Sequence, residues 1–127
     1  MTVTPAQINL TIYQGATFAE EFEWKTQAGD SGPVVAVDLT GYVARMQVRP
    51  SANSSVVLLD CTSTNGKIVI DGGDIIMNVS AAETAALSFD TAYYDLELVL
   101  ADYPSAGQTY VYRALQGAVT LSREVTK

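Results

Sequence analysis

The sequence predicts an all-β fold: an immunoglobulin-like antiparallel β-sandwich with one short helix. Three observations carry that expectation. Apolar and polar residues alternate over many short runs, as they do in half-buried strands. Turn signals recur at intervals of about 8–12 residues, with no strand–helix–strand rhythm. The stretch Phe89-Asp90-Thr91-Ala92-Tyr93-Tyr94-Asp95-Leu96 has the form of the corner that opens strand F of such sandwiches. In that reading Tyr94 is the corner tyrosine, its hydroxyl bonding back to upstream backbone, and Leu96 is a core position.

The totals fit one domain spanning 1–127, with short arms at Met1–Gln7 and Ser122–Lys127. A chain of 127 residues buries about two-thirds of its unfolded surface. With 48% hydrophobic and 17% charged residues it is globular rather than disordered. The apolar runs Val34–Val37 and Val56–Leu59 fall far short of the ~18 residues a membrane span needs. No basic-then-apolar leader is visible, so neither secretion nor a membrane is expected. The net charge of −7 disfavours nucleic acid, whose phosphates need the opposite sign. The single cysteine, Cys61, has no partner for an internal disulfide and sits in an apolar run. A small buried hydrophobe in a reducing cytoplasm is the expectation. The absence of histidine removes Ser-His-Asp and Cys-His nucleophile pairs and every His-based zinc site. Carboxylate pairs and lysine chemistry are the enzymatic options left.

Along the chain, Met1–Gln7 is a polar arm that needs tying down. Ile8, Leu10 and Ile12 alternate inward along a first strand that ends at the Gln14-Gly15 turn. Thr17–Trp24 places Phe18, Phe22 and Trp24 on one face and Ala19, Glu21 and Glu23 on the other. Glu20 falls on the apolar face and must reach solvent at a sheet end. Gln27–Pro33 is a hairpin loop before a short strand, Val34–Asp38, and Gly41 supplies the next turn. Tyr42–Arg49 turns Tyr42, Ala44, Met46 and Val48 inward, with Arg45, Gln47 and Arg49 outward. A polar loop, Pro50–Ser55, follows.

Val56–Thr62 and Lys67–Asp71 are expected to pair as a hairpin through Asn65-Gly66. Asp71–Asp74 is a further turn into Ile75–Val79. Ser80 and Glu83 form a capping box for a helix over Ala81–Leu87. The next strand turns Tyr94, Leu96, Leu98 and Leu100 to one face and Asp95, Glu97 and Val99 to the other. A loop over Ala101–Gln108 leads to a last strand, Thr109–Leu121, in which Gly117 suggests a bulge. Ser122–Lys127 is a polar tail.

Four groups of residues could carry chemistry. Glu20, Glu21 and Glu23 lie beside aromatics, but alternation turns two of them outward and nothing places the second carboxylate a glycosidase needs. Asp71 and Asp74 offer oxygen atoms to calcium without the regular ligand series of an EF-hand, and Asp and Gly are ordinary turn formers. Trp24 with Tyr93, Tyr94, Tyr110 and Tyr112 fits either cross-strand core pairs or an interaction platform. Arg45 and Arg49 share an outward face, suited to an acidic partner or to carboxylates on neighbouring strands.

Several stretches resemble small bacteriophage virion proteins of the tail or baseplate region. They are Asn9–Phe18 with Phe22-Glu23-Trp24-Lys25, then Val37–Arg49 with its Asp-Leu-Thr-Gly-Tyr turn. Next come Asn65-Gly66-Lys67-Ile68, Ser80–Leu87 and Tyr94–Leu98, and finally Leu115–Ser122. Their order is similar to the immunoglobulin-like N-terminal domain of the baseplate upper protein family, which anchors receptor-binding parts to a tail. The resemblance implies a non-enzymatic structural component of a virion, a tail, baseplate or tail-fibre adaptor assembled in the bacterial host cytoplasm. Its expected partners are other virion proteins (tail, baseplate, fibre or capsid subunits), in multiple copies in a symmetric assembly. No nucleic acid, membrane, cofactor, metal or catalytic residue is implied. The alternatives are a capsid decoration or head–tail joining protein, and a carbohydrate-binding module using Trp24 and exposed tyrosines.

Overall fold

The computed structural model describes residues 6–27, 34–36, 38–101 and 107–126. Met1–Pro5 of the arm, 28–33 and 102–106 of the two predicted loops, Val37 and Lys127 lie outside them. The elements run β1 (Ala6–Gln7), β2 (Leu10–Tyr13), β3 (Phe18–Glu23), β4 (Lys25–Gln27), β5 (Val34–Ala36) and β6 (Tyr42–Arg49). They continue as β7 (Leu59–Thr62), β8 (Ile68–Asp71), β9 (Asp74–Val79), α1 (Ala81–Ala85), β10 (Thr91–Ala101) and β11 (Thr109–Ser122).

Two sheets face one another. The larger has the order β1-β11-β10-β6-β7, with β2 also on β11; the smaller is β3-β9-β8. Strands β4 and β5 form a separate antiparallel hairpin between them in sequence. In immunoglobulin lettering, β3, β6, β7, β8, β9, β10 and β11 stand as B, C, C′, D, E, F and G. The predicted sandwich is the fold. Its inner faces follow the predicted alternation: Ala44, Met46 and Val48 of β6 and Tyr94, Leu96 and Leu98 of β10 are buried against Phe18, Ile75, Met77 and Val79 of the smaller sheet. Cys61 is buried in this core, and desolvation pushes its thiol up to about 11.

The N-terminal strand is the element on which register depends. Strand β1 pairs in parallel with β11, Ala6 opposite Leu115, and β2 does the same, Leu10 opposite Val119. Both pieces keep one register, so residues 6–13 form a single interrupted strand. The interruption falls beside Gly117. There the Ala118 amide donates to Asn9 Oδ1 (3.1 Å), and the Ile8 amide donates to the Gln116 carbonyl (2.9 Å). Tyr94, opposite Gly117 on β10, donates its hydroxyl to the Ile8 carbonyl at 2.8 Å.

Two expectations are corrected at this point. Tyr94 does bond back to upstream backbone, as expected, but its acceptor lies in the N-terminal segment, 86 residues away, and not within a local corner. Gly117 does not mark the bulge. A Cβ there would lie 2.3 Å from the Ile8 carbonyl oxygen, so the position must be glycine to let that backbone pass. The bulge is at Ala114: Leu96 faces Leu115 while Glu97 faces Arg113. One extra residue reverses the inward parity of β11. Tyr112 and Ala114 pack toward the core before it, with Tyr110 half-buried at the same parity, and Leu115, Val119 and Leu121 after it.

A third correction concerns Asn65-Gly66. Strand β7 pairs with β6 and β8 with β9, so this turn carries the chain from one sheet to the other and is no hairpin. The Asn65 side chain instead caps the outer edge of β7. Its Nδ2 donates to the Asp60 carbonyl (2.9 Å) and its Oδ1 accepts from the Thr62 amide (3.0 Å). Val56 and Val57 lie exposed ahead of the strand, which starts at Leu59. The tight hairpin is the predicted turn at Gly72-Gly73, where Asp71 pairs with Asp74.

The helix has its predicted cap, the Glu83 amide donating to Ser80 Oγ at 3.2 Å, but stops at Ala85. The Leu87 amide turns back to the Thr84 carbonyl (3.1 Å), the Leu87 side chain enters the core, and its carbonyl accepts from Gln14 Nε2 (2.8 Å). Buried Thr84 fastens the β2–β3 turn to α1: its hydroxyl accepts from the Gly15 amide (3.0 Å) and donates to the Ala16 carbonyl (2.8 Å). The tail is also held, since Arg123 pairs with Asp90 (3.1 Å) and the Glu124 amide donates to Gln14 Oε1 (3.0 Å).

Tyr94→Phe is expected to cost about 1 kcal/mol, the usual net worth of one hydrogen bond. Gly117→Ala should cost more, because the added Cβ must displace the Ile8 backbone. Urea unfolding of both variants checks the order, and a milder Gly117→Ala would contradict it. Burial pushes the Tyr94 hydroxyl from 10 up to about 12. Its contribution is therefore complete below pH ~10 and is lost as pH rises toward ~12. The stability gap between the wild type and Tyr94→Phe should narrow over that window; a gap that widens with pH would refute the assignment.

Candidate interaction surface

The outward faces of β6, β10 and β11 form one surface, built by the strand register. Four rows cross the three strands: Arg49–Tyr93–Ala118, Gln47–Asp95–Gln116, Arg45–Glu97–Arg113 and Val43–Val99–Val111. The Ala114 bulge keeps the last two rows aligned. Without the extra residue, β11 would turn inner-face residues outward beyond it.

The two middle rows are closed by their own charges. Arg45 Nε meets Glu97 Oε1 at 2.8 Å, and Arg113 Nε meets Asp95 Oδ2 at 3.5 Å. Arg49 donates to Gln47 Oε1 (3.1 Å) and to the Ser54 carbonyl (2.7 Å). Of the two readings of Arg45 and Arg49, Arg45 thus takes a carboxylate on the neighbouring strand, and Arg49 takes an amide and a backbone oxygen.

Apolar groups stand at both ends of these rows. Val43 and Val111 keep 50% and 42% of their surface exposed, with Val99 between them, and Tyr93 keeps 51%. Between Tyr93 and the middle rows lies an open trough of about 870 Å³, bordered by Gln7, Asn9, Arg49 and Gln116. Ala52, Gly117 and Ala118 also line it.

The other candidates do not converge on this surface. Glu20, Glu21 and Glu23 are exposed on β3, an edge of the smaller sheet, with Glu20 reaching solvent as expected. Charge at such an edge discourages pairing with another chain. Asp71 and Asp74 flank a turn whose carbonyls are already used: Gly72 accepts from the Leu39 amide and Gly73 from the Trp24 amide, both at 2.9 Å. Among the described residues no three Cys, Asp or Glu side chains gather as metal ligands.

The aromatic residues divide. Trp24 is half-buried and packs edge-on to Tyr112, ring centroids 5.6 Å apart. Tyr42 and Tyr110 also pack on Tyr112, at 6.0 and 4.3 Å. Trp24, Tyr42 and Tyr112 of this cluster pack against the core, and the Trp24 ring meets Tyr112 edge-on. Tyr93 alone of the adjacent Tyr93/Tyr94 pair points outward.

The valine row and the pairing of Asp95 with Arg113 were not singled out by the sequence. Their signal is there in part, since Val43, Val99 and Val111 each fall on the polar parity of an alternating strand. What brings them together is register between strands distant in the chain. The fold and this surface define a class: an immunoglobulin-like sandwich presenting one broad, charge-paired sheet face. No protein-family model and no curated protein matches the chain.

Exposed ion pairs are worth about 0–1 kcal/mol, so the middle rows shape this surface more than they hold the fold. Glu97→Gln is expected to lower stability by under about 1 kcal/mol, with a smaller loss at high salt. A thermal or urea measurement showing several kcal/mol would assign Glu97 a structural role instead.

Proposed function

We propose that the chain is a non-enzymatic structural protein of a bacteriophage particle, a tail, baseplate or tail-fibre adaptor acting by protein–protein contact. The observation that carries this reading is the outer face of β6, β10 and β11. It is broad and open, pairs most of its charges internally and places a valine row and Tyr93 where a protein surface can cover them. Aromatic and apolar groups among paired charges suit a protein partner better than a small substrate, which needs a concave and largely apolar pocket. The resemblance of Asn9–Phe18, Val37–Arg49 and Leu115–Ser122 to the baseplate upper protein family supplies the particle. Capsid decoration or head–tail joining would use the same kind of face.

The carbohydrate-binding alternative is the weaker one, because Trp24, its proposed platform, is packed edge-on against Tyr112. Mass spectrometry and electron microscopy of purified particles test the reading. The chain is expected in the virion at a fixed copy number, with the β6–β10–β11 face against a neighbouring subunit. Its absence from purified virions would overturn the proposal.

A further inference from the structure

We propose that Asn65 is a site of spontaneous deamidation, held in check by the backbone of β7 and released when that strand edge opens. Neither the site nor its restraint depends on the particle role.

The reaction needs a side-chain amide, a following backbone nitrogen able to attack it, and water. Asn65-Gly66 supplies the first two, and both residues are exposed to the third. Gly66 has no Cβ to crowd its nitrogen. Among the described residues its amide donates to no acceptor. The Gly66 nitrogen bonds to Asn65 Cγ and gives up its proton, the Cγ–Nδ2 bond breaks, and Nδ2 leaves as ammonia. Water then adds to one carbonyl of the resulting succinimide and opens the ring. One carbonyl gives aspartate at position 65, the other isoaspartate, and water is the only co-reactant. The other asparagines, Asn9, Asn53 and Asn78, are followed by Leu10, Ser54 and Val79, whose side chains crowd the attacking nitrogen.

The fold opposes the first step. Asn65 Nδ2 donates to the Asp60 carbonyl (2.9 Å), and Oδ1 accepts from the Thr62 and Lys67 amides (both 3.0 Å). The backbone amide of Asn65 donates to Thr62 Oγ1 (2.9 Å). Past the turn, the Lys67 carbonyl accepts from the Asn78 amide (2.8 Å) and its Nζ meets Glu83 Oε2 at 3.0 Å. Ring closure draws Cγ against the Gly66 nitrogen and pulls the side-chain amide off Asp60 and Thr62. Those are the bonds that cap the outer edge of β7, so the rate follows the opening of that edge.

The product alters the same edge. Nδ2, a donor, is replaced by a carboxylate oxygen that faces another acceptor, the Asp60 carbonyl. The isoaspartyl form also adds a methylene to the backbone that links the larger sheet to the smaller. Either product leaves the Asp60 carbonyl without its cap, at an edge where an extended strand can pair.

The test is peptide mapping by mass spectrometry after incubation in mildly alkaline buffer, with and without guanidinium chloride, following the mass change from amide to acid at each asparagine. Asn65 should convert ahead of Asn9, Asn53 and Asn78. Its conversion should be at least about tenfold slower in native buffer than in denaturant. Thr62→Val keeps the branched shape but deletes the acceptor of the Asn65 amide. It should speed the native reaction several-fold and leave the denatured rate unchanged, with a cooperative unfolding transition showing that the variant folds. Gly66→Ala should slow the reaction several-fold in denaturant, where the φ of 81° that glycine adopts in the fold plays no part. Asn65→Asp should unfold at a lower urea concentration than the wild type. Conversion at Asn65 no faster than at the other asparagines, or equally fast in native buffer and denaturant, would overturn the proposal. An Asn65→Asp midpoint at or above that of the wild type would overturn the dependence of the β7 edge on the amide.

Discussion

The fold depends on the passage of one backbone segment over one glycine. The Ile8 carbonyl comes in against β11 at Gly117, the one residue of that strand with no Cβ to meet it. Tyr94 then fixes the Ile8 carbonyl from the neighbouring strand, at 2.8 Å. This contact joins three strands far apart in sequence. It sets the register of residues 6–13 on β11, and through Gln14 and Thr84 it fixes where the chain turns into the smaller sheet. The Tyr94 hydroxyl would be costly to bury without an acceptor, and the Ile8 carbonyl would be costly without a donor. Each resolves the other's need, which ties the N-terminal strand to the centre of the larger sheet.

The Ala114 bulge is the second constraint, and it serves both faces of that sheet. On the inside it lets Tyr112 meet Trp24 and Tyr42 near one end of β11 while Leu115, Val119 and Leu121 fill the core nearer the other. On the outside it brings Arg113 opposite Glu97 and Val111 opposite Val99. Core packing and the composition of the exposed face are therefore set by the same inserted residue. The sheet edges are guarded separately, by the Asn65 amide on β7 and by the glutamates of β3. With those edges blunted, the outer face of β6, β10 and β11 stays open to a partner.

Much of the architecture was legible in the sequence because it rests on short-range rules. Alternation identified the inward residues of β6 and β10, and Ser80 and Glu83 announced the helix cap. Gly15, Gly41 and Gly72 marked turns that do adopt left-handed backbone. The parity change from Tyr110 and Tyr112 to Leu115, Val119 and Leu121 was also present, and it requires a bulge between them. Gly117 drew attention away from it, because a glycine inside a strand reads equally as a bulge or as a close approach. Asn65-Gly66 misled for a similar reason. An Asn-Gly pair specifies a tight turn, but not whether the strands on either side pair with each other.

The sequence by itself determined that this is an all-β sandwich with one capped helix, no histidine chemistry and a strong negative charge. Periodicity, turn residues and composition act locally or in sum, so they survive without knowledge of distant contacts. Only the tertiary structure decided that Tyr94 holds Ile8, that Gly117 clears a path for it, and that Val43, Val99 and Val111 form one row. Each of those facts is a pairing between residues many positions apart. Such pairings follow from strand register, which the whole set of sheet hydrogen bonds and the buried face fix together.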